Sequence, residues 1–160
     1  MSQQLFDATQ STAFRQGAHL LEPTPAKPAA RALLEHELDI PLLQNVLASV
    51  KARLNISVVA SKQDVVMVRH PSHADKFFVA EIWAFFEIDQ IDLLALVSLW
   101  SLVSAGSHAS TRTSVWSKQD APELVALEDI LVPVLWANRS DGHVIVLTPF
   151  EQSGFAPSDP

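Results

Sequence analysis

The chain has 160 residues, 48% of them hydrophobic and 18% charged, enough to bury one sizeable core. It contains no cysteine, which excludes disulfides, thiolate zinc sites and cysteine nucleophiles. Eleven basic against eighteen acidic residues leave a net charge of -7, the wrong sign for a protein that binds through phosphate contacts, and with only four glycines it has no glycine-rich phosphate loop.

The N-terminus, MSQQLFDATQSTAFRQGAH, has no basic stretch followed by a continuous apolar run, so no secretory signal is read and an intracellular chain is expected. Residues 1–27 are polar and end in the proline-punctuated EPTPAK, which reads as a flexible tail and linker. Pro28 suits the first turn of a helix, and AARALLEHEL continues with good helix formers, so a helix is predicted over 28–38. After Pro41, the residues Leu42, Leu43, Val46, Leu47, Val50 and Leu54 recur at helical spacing, which predicts a second, amphipathic helix over 41–54.

From residue 56 the pattern turns extended. ISVVA and DVVMVRH read as two short strands joined by SKQ as a hairpin. KFFVAEIWAFFEI is apolar on both alternating faces, as a strand covered on both sides would be. The next stretch, DLLALVSLWSLVSA, is too short and too serine-rich to cross a bilayer: Leu93 to Ala105 would extend about 20 Å as a helix against a hydrocarbon core of about 30 Å. Its serines at 98, 101 and 104 and a possible Asp89 cap favour a helix. Its apolar density and the polar turn EIDQID favour a strand, and strand is the preferred reading. A polar loop follows at SAGSHASTRTS, then a strand at SVWSK and an extended or briefly helical segment at QDAPELVALEDI. Two last strands flank NRSDG, whose Asp-Gly pair supplies positive φ, with Pro133 at an edge or bulge and residues 151–160 as a disordered tail. The expected fold is therefore mainly β with N-terminal helices: two helices over 28–54, then a small twisted barrel or sandwich of about six strands over 56–150, forming one domain.

Four segments in this order carry a family resemblance: DVVMV at 64–68, FFVAEIWAFFE at 77–87, LLALVSLW at 93–100 and ELVALEDILVPVLWA at 123–137. They resemble the strands of the bromo-adjacent homology (BAH) domain. That resemblance implies a non-catalytic protein-interaction module, reading a basic peptide or chromatin-associated partner, with a nuclear location. Some BAH domains carry an aromatic cage for methylated lysine, and Trp83, Phe85, Trp100 and Trp116, beside the acidic Glu81 and Asp120, are the partner-binding residues this reading selects; core packing is the expected role of most of these rings, and if any is exposed, Trp83 and Trp116 are the choices. The competing reading is a cytoplasmic structural or immunity-type binding protein that oligomerises or docks through the 41–54 helix.

Catalytic and metal chemistry find little support. His70, His73 and Asp75 in HPSHAD could ligate a metal, but they lack a fourth ligand nearby and read as a strand connection. No serine sits in a G-x-S-x-G elbow. Glu81, Glu87, Asp89 and Asp92, like Glu128 and Asp129, read as edge and turn charges that keep apolar strands from pairing with other chains. No enzyme, metal, cofactor, membrane or direct nucleic-acid partner is expected.

Overall fold

A computed structural model describes residues 17–39, 45–69, 77–89, 92–104 and 113–147. The chain divides into two compact units, one drawn from Met1–Lys62, Trp83–Leu96 and Leu124–Glu128, the other from Gln63–Ile82, Val97–Glu123 and Asp129–Pro160. Among the described residues there are one α-helix, one 3₁₀ turn and fourteen strands. The sheets are open and close into no barrel. The expectation of two N-terminal helices followed by a barrel-like core of about six strands is thus overturned.

In the first unit, helix α1 spans Pro28–Leu38, as the sequence predicts. Proline at its start costs no hydrogen bond, and Asp39 ends it in the left-handed region (φ 56, ψ 41), with its amide bonded to the Glu35 and His36 carbonyls. Leu34 is its buried anchor, packed among Ala26, Val46, Phe86, Ile88 and Leu96.

The predicted helix over 41–54 does not form across its described part. Instead β3 (Val46–Ser49) and β4 (Lys51–Asn55) are strands. KARLN alternates, with Ala52 and Leu54 buried between outward Lys51, Arg53 and Asn55. Val50, between the strands, is 58% exposed, and residues 46–55 form no helix that could carry the expected apolar stripe. The residues read as a tail also contribute strands: β1 (His19–Leu21) pairs antiparallel with β4, and β2 (Thr24–Pro25) with β3. Strand β5 (Val58–Ser61) returns on β4 through a turn in which Asn55 Oδ1 accepts from the Ser57 amide at 2.8 Å. The 55–58 turn, and not SKQ, therefore makes this hairpin.

The twelve-residue strand β7 (Phe77–Ile88) contributes to each unit: residues 77–81 pair with β6 (Val65–Arg69) within the second, and residues 85–88 pair with β3 within the first. The apolar character of β7 on both faces matches its burial, Val79, Ala80, Ile82, Phe85, Phe86 and Ile88 all being inaccessible or nearly so. Residues 92–104 are strands, β8 (Asp92–Leu99) and β9 (Ser101–Ser104), as preferred. Strands β10 (Thr113–Ser117) and β11 (Pro122–Ala126) and the 3₁₀ turn Leu127–Asp129 follow. Strand β12 (Ile130–Pro133) pairs with β6 through a register shift between Ile130 and Val132, and Pro133 sits just past it.

Strands β13 (Leu135–Asn138) and β14 (Val144–Leu147) form the last hairpin. Of its Asp-Gly pair only Gly142 takes positive φ, at 91°. Asp141 instead accepts from the His143 amide at 3.1 Å and pairs with Arg139 at 2.8 Å. The core of the second unit gathers Val65, Met67, Val79, Trp100, Trp116, Val144 and Val146.

Candidate functional site

The first unit holds an open cleft of about 540 Å³. Small side chains from three elements line it, Ala30 on the helix, Ala48 on β3 and Ala84 on β7, beside Phe86. Thr24 lies across from Ala48, and Ala48 across from Phe86, so these residues share one sheet face. Trp83, half-buried, adds an aromatic wall.

The mouth is basic. Lys27, Lys51 and Lys62 line the cleft against a single carboxylate, Glu22. The chain has five lysines, at 27, 51, 62, 76 and 118, so three of them converge here. Each is exposed, and none forms an ion pair among the described residues.

Their backbones are held firmly. Ala26 donates to the Val46 carbonyl at 2.9 Å, fixing the approach to Lys27. The Ser49 hydroxyl lies against the Leu21 and Lys51 carbonyls and accepts from the Lys51 amide at 3.1 Å. Lys62 donates its amide to Val50 at 2.7 Å. Glu22 on the rim and Gln63 beside Lys62 hold positive φ, 48° and 78°, which costs a side-chain-bearing residue about 1 kcal/mol each. Lys27 is the N-cap of α1 and supplies no side-chain cap, and no acidic residue sits in the first helical turn. The positive end of the helix dipole therefore adds to the field of the lysines.

The lining contains no histidine, and Ser49, its hydroxyl with defined contacts, is engaged by backbone groups. No group of three histidines or carboxylates that could hold a metal occurs among the described residues. His70, His73 and Asp75 lie outside them.

Of the residues selected from sequence, Trp83 lines the cleft, while Phe85 in the same unit is wholly buried. Trp100, Trp116, Glu81 and Asp120 belong to the second unit. Trp116, one of the two rings chosen as exposed if any is, is 0% accessible and donates its indole N–H to Ser114 Oγ at 2.7 Å. Trp100 is also buried, Glu81 is half-buried across from Val65, and Asp120 is exposed.

The exposed ring is Trp136, which the sequence reading did not select. It meets Trp100 edge to face at 5.8 Å, and the Lys118 ammonium lies 4.4 Å from its centroid and 5.9 Å from that of Trp100. The signal that could have found it is the exposed β13, LWAN, beside a turn. The cleft lysines carry no such signal, being scattered over a linker, a strand start and a turn. No family model matches this chain, and no curated protein matches it.

Proposed function

We propose that this protein is a non-catalytic binding protein whose ligand, a small molecule with an apolar body, sits in the cleft of the first unit. The observation that carries this reading is the cleft itself: its volume falls within the range of small-molecule sites, and its lining joins apolar residues such as Ala30, Ala48 and Ala84 to Lys27, Lys51, Lys62 and Glu22. A ligand screen followed by amide chemical shifts tests it, with Ala48→Leu as a plug on the floor. Binding that perturbs the Ala30, Ala84 and Phe86 amides and disappears in the folded plug variant supports it. Ligands that bind equally to the plug variant, or a broad screen without a hit, count against it.

A second reading has one observation in its favour. The Trp100–Trp136 pair already holds an ammonium group, that of Lys118, which suits the BAH-like interaction module for a basic segment and the nuclear location that would go with it. Titration with a lysine-rich peptide at low salt, with and without Trp136→Ala, separates this from the cleft: peptide binding lost in that variant favours it, and no binding at low salt removes it.

A further inference from the structure

We infer that the cleft selects organic dianions, of the kind a phosphate monoester or a dicarboxylate on a flat ring presents. This rests on the cleft being a ligand site and adds the charge and shape of what it takes. Three lysines and one glutamate line the cleft together with apolar residues such as Ala30, Ala48 and Trp83. A neutral apolar ligand would fill the floor and leave Lys27, Lys51 and Lys62 unanswered. A monoanion would answer fewer of them than a dianion.

The charges are not there to balance the protein's own acids, since none of the three lysines has an acidic partner among the described residues. The N-terminal end of α1, free of any acidic side chain in its first turn, has the same sign. Trp83, half-buried in the lining, sets the other half of the specificity: a planar ring can lie against it with its anionic group reaching the lysines. Inorganic phosphate meets only the lysines, and a neutral ring only the floor. A ligand carrying both meets the whole cleft.

The test is calorimetry on the full chain with 2-naphthyl phosphate, naphthalene dicarboxylate, 2-naphthol and inorganic phosphate. The two ring dianions should bind at least about tenfold more tightly than naphthol or inorganic phosphate, as a gap of about 1.4 kcal/mol would give. Lys51→Met and Lys62→Met should each weaken the dianions about two- to fivefold, the range for exposed charge contacts, and leave naphthol unchanged. Lys118→Met, in the second unit, should change nothing.

For the phosphate monoester, affinity should also fall as pH drops through about 6, where its second proton returns, whereas the dicarboxylate should keep its affinity there. If naphthol binds as tightly as the dianions and ignores the lysine variants, the cleft is a ligand site but the charge inference is overturned. If inorganic phosphate equals naphthyl phosphate, the ring plays no part and the inference is likewise overturned. If none of the four binds, both the inference and the cleft reading fall.

Discussion

Replacing Leu34 by alanine tests how α1, and with it one wall of the cleft, is held. Leu34 is 0% exposed, and its neighbours Val46, Phe86, Ile88 and Leu96 project from strands that are themselves hydrogen-bonded, so they cannot collapse far into the space left behind. Large-to-small changes at such sites cost about 2–5 kcal/mol, and a value near the middle, about 3 kcal/mol, is expected here. At roughly 2–4 °C per kcal/mol for a chain of this size, the melting temperature should drop by about 6–12 °C.

Leu33→Ala provides the control, because Leu33 is next along the helix but 36% exposed, and both changes place the best helix former in a helix interior. It should cost less than about 1 kcal/mol. Urea unfolding followed by far-ultraviolet circular dichroism reads both. Equal losses for the two variants, or a loss below about 1 kcal/mol for Leu34→Ala, would show that α1 is not seated through Leu34.

Two further outcomes follow from single polar groups. Ser98 is inaccessible, and its hydroxyl lies against the Gln119 carbonyl and accepts from the Ala121 amide at 3.1 Å, so Ser98→Ala should cost about 1–3 kcal/mol. Hydrogen exchange is the local readout: the Ala121 amide should lose protection, and an unchanged rate there would refute the assignment. Asp141 has its pKa lowered from 3.8, first by the His143 amide, with desolvation opposing and the charges of Arg139 and His143 adding to the lowering. A carboxylate depressed in the folded state contributes stability that is present above its unfolded pKa and lost as pH falls through the folded one. The stability gap between wild type and Asp141→Asn should therefore be full above pH 3.8 and close below it; a gap that persists at pH 2 would contradict this.

The sequence shows α1 well, because Pro28, a run of helix formers and a polar stop agree with one another. It misleads over 46–54 for an arithmetical reason: Val46, Val50 and Leu54 are four apart, and four residues fit both a helical turn and two strand repeats. What decides is tertiary. Val46 and Ala48 find partners across β7, and Ala52 and Leu54 face a buried surface while Lys51 and Arg53 do not. The serines at 98, 101 and 104 mislead in the same way, since their threefold spacing suggests a helix face, yet Ser98 serves as a hydrogen-bonding bracket for a loop 21–23 residues away.

Strand partners are harder to read than strands. Of the run ISVVA only Val58 onward is extended, since Ile56 and Ser57 form the turn, held by Asn55, that returns the chain on β4. The cleft is invisible in sequence because it consists of what is missing, three methyl-sized side chains at 30, 48 and 84, and of lysines brought together by pairings such as Leu21 with Lys51 and Lys51 with Ser61.

The net charge of -7 points to a cationic partner, whereas the cleft points to an anionic one, and distance reconciles the two. At physiological salt a charge is felt over about 8 Å, so a ligand in the cleft is held chiefly by the charges that line it, Lys27, Lys51, Lys62 and Glu22. The acidic residues of α1 begin at Glu35, eight residues beyond Lys27, or about 12 Å along a helix rising 1.5 Å per residue. A bound dianion is therefore held by local charge, while an approaching one meets the repulsion of the whole protein. Salt acts oppositely on the two, easing the approach and loosening the hold. Across a salt series the association rate for 2-naphthyl phosphate should rise while its affinity falls, so that dissociation accelerates more than association. A protein that read anions through its overall charge could not show that pair of trends.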